Sequence, residues 1–187
     1  MFTGIIQEVG RVKSVTKKGR LLAIAITARL SSKLKKGDSI SVDGVCLTVI
    51  NHAKNSFTAD IMPETVKKTI ISSYKKDTKV NLELPLCMND RIDGHFVLGH
   101  VDGIGKVTGT SDLKIEPPQS LMKFIAYKGS VCINGVSLTV SKKDKKSFQV
   151  SLIPMTNHKT NLGSLKKDDK VNIEVDMLCR YLDSIKT

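Results

Sequence analysis

Apolar and polar residues alternate at period two along most of this chain, in short runs rich in Val, Ile and Thr punctuated by Gly, Lys, Asp and Asn. That period is the one a half-buried β-strand requires. In the first half the alternation predicts strands near 2–14, 21–28, 39–43, 45–51, 56–62 and 79–84. In the second it predicts strands near 96–108, 121–127, 130–134, 136–142, 147–153 and 170–175. Six short strands at this spacing fit a small closed antiparallel barrel, so the pattern predicts an all-β chain of two barrels. Pro63-Glu64-Thr65-Val66-Lys67-Lys68-Thr69 reads as a helical turn with Pro at its first position, inserted before the last strand of the first barrel. Pro154-Met155-Thr156-Asn157-His158-Lys159-Thr160 is its twin, and Leu86 to Arg91 reads as the connector between barrels. Beyond the last strand, Leu178, Tyr181, Leu182 and Ile185 fall on one stripe of a short helix. Such a tail has nothing of its own to bury against, which predicts self-association.

The two barrels are copies of one unit. Sliding residues 44–83 onto 135–174 without a gap matches 20 of 40 positions, among them Gly44-Val45-Cys46-Leu47-Thr48-Val49 against Gly135-Val136-Ser137-Leu138-Thr139-Val140. Val80-Asn81-Leu82-Glu83 matches Val171-Asn172-Ile173-Glu174 at the same offset. Met1-Phe2-Thr3-Gly4-Ile5-Ile6 faces Phe96-Val97-Leu98-Gly99-His100-Val101 at an offset four residues larger, which a loop-length difference absorbs. The division expected is 1–90 for the first barrel, 91–176 for the second and 177–187 for the helical tail. Units this small bury a modest fraction of their surface, so the barrels are expected to pack on each other or on neighbouring subunits. Two like pockets suggest two like ligands.

The formal net charge of +12 raises the question of a polyanionic partner. Its lysines sit in doublets such as Lys17-Lys18, Lys35-Lys36, Lys75-Lys76 and Lys166-Lys167 beside turn residues, and the chain has no Trp. Nucleic-acid recognition needs a basic stripe interleaved with stacking aromatics, so no nucleic acid is expected. Cys46, Cys87, Cys132 and Cys179 form no CxxC pair, which points to neither a zinc knuckle nor a disulfide framework and fits a reduced, cytoplasmic setting. The opening residues form no basic leader, and no apolar run approaches the ~18 residues of a membrane span, so neither signal peptide nor membrane anchor is expected.

Candidate chemistry follows the repeat. At Gly4-Ile5-Ile6 and Gly99-His100-Val101 a missing side chain lets a ligand ring approach backbone donors and acceptors, although a lone glycine serves a barrel bend equally well. Thr48 and Thr139 alternate with apolar Leu47 and Leu138; β-propensity alone explains either, but recurrence in both copies favours ligand contact. Cys46 and Ser137 hold equivalent places with small polar groups, where a buried Cys taken singly is more often a core filler. Asp60-Ile61-Met62-Pro63-Glu64-Thr65 and Ile153-Pro154-Met155-Thr156-Asn157-His158 end a strand and begin a helical turn, offering free backbone NH groups and Thr hydroxyls. His100 replaces Ile5 of the first copy and so breaks the symmetry, and imidazole moves protons near neutral pH. His95 reads more readily as structural. Asp176, taken alone, is an ordinary helix N-cap.

These strings resemble riboflavin synthase of the alpha-chain type over nearly the whole length. The resemblance rests on Met1-Phe2-Thr3-Gly4-Ile5-Ile6, the Gly-Val-Cys/Ser-Leu-Thr-Val element in both halves, Gly94-His95-Phe96-Val97 through Gly99-His100-Val101-Asp102-Gly103, Tyr127-Lys128-Gly129 and Ile153-Pro154 followed by Thr156. It implies tandem six-stranded Greek-key barrels in a homotrimer, acting on two molecules of 6,7-dimethyl-8-ribityllumazine with no metal or redox cofactor. It places one lumazine in each barrel, with the active site where one subunit's first barrel meets the next subunit's second. It also implies that Cys46 and Ser137 line the lumazine sites and that Lys128 stands at the pocket. By the same resemblance Asp176 lies near the reacting centre, and Thr139 and His100 are catalytic. It allows a lumazine synthase capsid as partner. Leu98 departs from the family's frequent Ser, Asn134 from a frequent Asp, and the tail is short. The rival readings are a lumazine or flavin carrier that binds without turnover, whose family members tend to lose the histidine of the Gly-His string, and a flavin-dependent oxidoreductase domain, for which no Gly-rich dinucleotide fingerprint follows a strand.

Overall fold

The structure, a computed structural model, describes residues 1–185. The first barrel contains β1 (Glu8–Lys18), β2 (Leu21–Thr27), β3 (Ser39–Val42), β4 (Val45–Ala53), β5 (Ser56–Ile61) and β6 (Lys79–Glu83), closed in the order β1-β2-β5-β4-β3-β6. The second contains β7 (Gly103–Gly109), β8 (Leu113–Glu116), β9 (Ser130–Ile133), β10 (Val136–Lys143), β11 (Phe148–Val150) and β12 (Lys170–Val175), closed in the equivalent order β7-β8-β11-β10-β9-β12. Register slips fall at matching places, between Val12 and Ser14 and between Val49 and Asn51 in one barrel, and between Val107 and Gly109 and between Val140 and Lys142 in the other. An extra residue at each slip sharpens the local twist, which helps so few strands to close. Alternation sends Val12, Ile24, Ile40, Val49, Phe57 and Leu82 into the first core, and Val107, Ile115, Ile133, Val140, Phe148 and Ile173 into the second.

The expected helical turns are α1 (Pro63–Lys68) and α2 (Pro154–Lys159), each with Pro in its first turn, and the tail helix is α3 (Met177–Ile185). Positions 186 and 187 of that expected helix lie outside the described residues. The strand expected at 121–127 is a correction: that stretch is a 3-10 turn, Gln119–Phe124, and the strand is β8. Pro117-Pro118 removes two ladder donors and ends β8, after which Leu121, Met122 and Ile125 fill the core from the turn. The strands expected at 2–14 and 96–108 start later, at Glu8 and Gly103. Residues ahead of those starts do something else. Phe2 and Val97 exchange both backbone hydrogen bonds, at 2.7 and 3.0 Å, and each segment then crosses to the opposite barrel. Ile6 packs against the second core and Val101 against the first.

The barrels meet across a buried polar seam to which both copies contribute equivalent turns. The Asp43-Gly44 and Asn134-Gly135 turns approach so closely that a Cβ on either glycine would stand 2.7 Å from the other's nitrogen. The Asn81 side chain donates to the Asn134 carbonyl and to Asn161 Oδ1, both at 2.8 Å, while Asn172 donates to the Asp43 carbonyl at 2.8 Å. Asp43 itself accepts from the Tyr74 hydroxyl, the Asn81 amide and Asn161 Nδ2. Burial raises its carboxyl to about 7, against the pull of these donors. The Tyr74 hydroxyl is pushed well above its usual range, by burial first and then by Asp43. Every buried polar side chain at the seam thus finds a partner in the other barrel or its own, which specifies one docking geometry.

Candidate functional site

The crossing of the two N-terminal segments builds a pair of composite sites. On β4 the residues Val45, Leu47 and Val49 are buried while Cys46 and Thr48 face outward, and β10 repeats this with Ser137 and Thr139 outward. Over Cys46 lies the Gly99–Val101 segment of the second copy, and over Ser137 lies the start of the first. The Cys46 amide donates to the Gly99 carbonyl at 2.9 Å, and the Ser137 amide to the Gly4 carbonyl at 2.8 Å. Gly4 and Gly99 hold φ values of 77° and 79°. A Cβ at either would come within 2.6 Å of Ser137 or Cys46 respectively. Both conformation and contact therefore demand glycine.

Two buried carboxylates hold these loops. Glu83 accepts from the Thr3 amide (2.7 Å), the Thr3 hydroxyl (2.8 Å) and the Gly4 amide (3.0 Å). Glu174 accepts from the amides of Leu98, Gly99 and His100 at 2.8, 2.9 and 3.0 Å. Burial raises both carboxyl pKa values, and the amide bonds pull the other way. The sequence reading missed this pair, although its signal was present in the repeated Val-Asn-Leu/Ile-Glu of β6 and β12. One consequence is that the glycine amides and carbonyls expected to meet a ligand are already engaged within the protein. Of these segments, His100 and Val101 line the cavity beside Cys46, and the Ile5 side chain is exposed beside Gly4.

The first site is a cavity of about 150 Å³ lined by Val45, Cys46, Glu64, Thr65, Lys68, Thr69, Gly99, His100 and Val101. Its walls come from β4 and α1 of one copy and from the crossing segment of the other. Asp60 lies on the outer face of β5 with one carboxylate oxygen buried and without a hydrogen bond among the described residues, its other oxygen 4.0 Å from Lys18. Met62 is exposed, whereas Ile61 points into the core. Leu47 and Leu138 are core residues too, so only their backbones face the sites. Beside Ser137 lie Gly4 and Gly94; the repeat's counterparts of the α1 segment are Ile153 and Met155, both exposed, with Pro154, Thr156, Asn157 and His158 on α2.

His95 enters this second site from a direction the sequence did not suggest. Its Nδ1 lies 2.7 Å from Ser137 Oγ, and its buried Nε2 has no partner among the described residues. Burial lowers its pKa, and the charge of Asp176 pulls it upward. Asp176 caps α3, its Oδ1 accepting from the Leu178 amide at 3.0 Å. Ser137, His95 and Asp176 are thereby neighbours, while Cys46 and His100 belong to the other site. Lys128 is exposed, in a left-handed turn (φ 61°) whose amide donates to the Val140 carbonyl, beyond Thr139 on β10.

A paired set of outward-facing sites on duplicated Greek-key barrels defines a class of tandem small-molecule-binding protein. A family profile for the lumazine binding domain matches twice, at residues 3–85 and 98–176. The chain is 43% identical over 191 residues to the riboflavin synthase of Bacillus subtilis (strain 168), covering 97% of this chain and 88% of that one. It is 42% identical over 190 residues to the riboflavin synthase of Actinobacillus pleuropneumoniae, with coverage of 98% and 88%. Among solved structures, LumP complexed with riboflavin superposes with a TM-score of 0.86 at 26% identity, covering 94% of this chain and 99% of that one. LumP complexed with 6,7-dimethyl-8-(1'-D-ribityl) lumazine superposes with a TM-score of 0.82, at the same identity and coverage. The chain belongs to the riboflavin synthase family of lumazine-binding proteins.

Proposed function

We propose that the chain is a riboflavin synthase, a transferase that moves a four-carbon unit between two molecules of 6,7-dimethyl-8-ribityllumazine to give riboflavin and 5-amino-6-(D-ribitylamino)uracil. The observation that carries this reading is one composite site built twice with unlike side chains, Cys46 and His100 in one copy and Ser137 and His95 in the other. Donor and acceptor in this reaction are the same compound, so each site must fit the same ring while treating it differently. Atoms and electrons balance between the two lumazines, one being oxidised at the other's expense, and no further oxidant enters.

In this reading His100, Cys46, Ser137, Thr139 and Asp176 carry catalysis. His100 takes and returns protons at the ring methyl, whose acidity the conjugated ring already supplies, and Cys46 and Ser137 meet the ring from the barrel wall. Ile5, Ile6 and Val101 supply the edge of each ring slot. Asp60 through Thr65 and Ile153 through His158 hold the ribityl chains, whose hydroxyls suit the unpaired Asp60 oxygen and the Thr65 and Thr156 side chains. Lys128 approaches from the turn beyond Thr139. Holding two reactants in register supplies roughly 7–11 kcal/mol of barrier lowering, so placement does most of the work.

The same reading includes a homotrimer in which the first barrel of one subunit faces the second barrel of another, with the division at residues 90 and 176. The exposed Leu178, Tyr181, Leu182 and Ile185 stripe of α3 supports self-association. A cytoplasmic location agrees with four unpaired cysteines; among the described residues no helix is long and apolar enough to cross a membrane. A lumazine synthase capsid stays a partner to test by co-purification. A second reading, a carrier that holds lumazine unchanged, has the LumP complexes behind it. Incubating the purified protein with 6,7-dimethyl-8-ribityllumazine and nothing else separates them. Riboflavin and the pyrimidinedione in equal amounts identify the enzyme; bound, unaltered lumazine identifies the carrier.

A further inference from the structure

The two loops that carry Gly4 and Gly99 are held by equivalent glutamates but not by equivalent surroundings. In the first copy the Thr3 hydroxyl donates to Glu83 Oε1 at 2.8 Å, and neutral Gln7 accepts from the Leu84 amide at 3.1 Å. In the second copy Leu98 replaces Thr3 and supplies no hydroxyl, and Asp102 replaces Gln7, accepting from the Val175 amide at 2.8 Å. The second cradle has therefore lost a donor and gained a negative charge beside buried Glu174. The group that answers both changes comes from the tail helix. Arg180 Nη2 donates to Asp102 Oδ2 at 2.9 Å and to the carbonyl of His100 at 3.2 Å, and stands 3.7 Å from Glu174 Oε1.

We propose that Arg180 is a positioning residue for His100, fixing the His100 loop from behind and tying the first site to helix α3. This rests on the reading of His100 as a proton-transfer group. Without the guanidinium, the Asp102 and Glu174 carboxylates repel each other at the back of the loop. Glu174 then takes up a proton or turns, and its bonds to the Leu98, Gly99 and His100 amides weaken together. His100 also loses the partner of its own carbonyl. Glu83, which holds the Thr3–Gly4 loop of the second site, has neutral Gln7 where Glu174 has Asp102 and needs no such cation, so the effect is confined to one of the two sites.

The test uses the full chain as wild type, Arg180→Gln, Arg180→Lys, His100→Ala and the Arg180→Gln/His100→Ala double variant. Turnover of 6,7-dimethyl-8-ribityllumazine and the histidine ring signals in 13C–1H NMR are both recorded, with native mass and thermal unfolding to establish folding. Arg180→Gln is expected to lower kcat by about tenfold to a hundredfold, the scale of a small misplacement of a reacting group, with KM nearly unchanged. Arg180→Lys recovers part of the loss, and the loss vanishes in the His100→Ala background. In the spectra the His100 signal moves or broadens while that of His95 stays. An unmoved His100 signal in folded Arg180→Gln overturns the proposal, as does a loss of kcat that persists undiminished without His100. Should Arg180→Gln fail to fold, Arg180→Lys carries the same two readouts: a shifted His100 signal with a several-fold smaller kcat supports the proposal, and wild-type values for both overturn it. If instead the wild type makes no product, or His100→Ala keeps full activity, the proposed chemistry is wrong, and the NMR comparison still decides whether Arg180 places His100.

Discussion

At the scale of single residues, the two sites differ chiefly in which histidine stands beside the small polar group on the barrel wall. His100 is exposed on the loop over Cys46, whereas His95 is held within hydrogen-bond distance of Ser137. Removing a positioned general acid–base costs on the order of 10²–10⁴ in rate, so His100→Ala is expected to lose turnover on that scale while lumazine titration still shows binding; full activity would remove His100 from the mechanism. Burial lowers the His95 pKa and favours the neutral ring, against the pull of Asp176. Its bond to Ser137 is a neutral one, worth about 0.5–1.5 kcal/mol, and His95→Ala should weaken lumazine at one of two sites by roughly two- to tenfold. Fluorescence titration resolving two affinities checks this, and unchanged affinities at both would make His95 a packing residue. Cys46, Ser137 and His100 were legible because the repeat aligned them and exposed the one asymmetric position. His95 was not, because it has no counterpart in the first copy, and a histidine beside a glycine carries no local signal of what it faces.

At the scale of elements, period two and the repeat gave most of the strands, and the failures have particular causes. The strand at Leu113–Glu116 was hidden by its brevity and by Pro117-Pro118, although carrying the offset of the matched segments back from Leu22-Ala23-Ile24-Ala25 lands on it. The crossing of the N-terminal segments was illegible for a deeper reason. Gly4 fits beside Cys46 as well as beside Ser137 by residue type, so duplication makes the two pairings degenerate in sequence, and the structure takes the crossed one, with the Phe2–Val97 bridge joining the two segments. That degeneracy has a consequence for the isolated first barrel. A fragment of residues 1–90 loses Gly99–Val101 from its own site and leaves the Cys46 amide without its partner and the Asp43-Gly44 turn without those it has in the second barrel. A second copy of the fragment offers Gly4–Ile6 and another Asp43-Gly44 turn in the same places. The fragment is expected to dimerise and to bind lumazine as the dimer with little turnover, since both sites are then alike. Analytical ultracentrifugation with and without lumazine checks it, and a monomer that binds at full affinity would show that the crossing is dispensable.

At the scale of the whole molecule, the seam between barrels sets a pH dependence. Burial pushes the Asp43 carboxyl up to about 7 in the folded chain, from near 4 when unfolded. Between those values the folded state keeps a proton that the unfolded state has released, so this group's contribution falls as pH rises through that window. Asp43→Asn, which places in the first copy the residue already present at Asn134, is expected to flatten that slope in thermal unfolding; an unchanged slope would place the titration elsewhere. Assembly is the larger question, because α3 leaves its apolar stripe exposed. The residues divide cleanly for a test, Cys46 and His100 at one site and Ser137 and Asp176 with neighbouring Thr139 at the other. A chain disabled at Cys46 and His100 keeps its second site, and a chain disabled at Ser137, Thr139 and Asp176 keeps its first. Neither alone can bring two working sites together. If catalysis joins the first site of one chain to the second site of another, mixed oligomers pair two healthy sites, and activity absent from both parents should return in proportion to the mixing. If exchange is verified by mass and no activity returns at any ratio, catalysis does not join sites across a subunit boundary, and the two sites of a single chain must be the ones that cooperate.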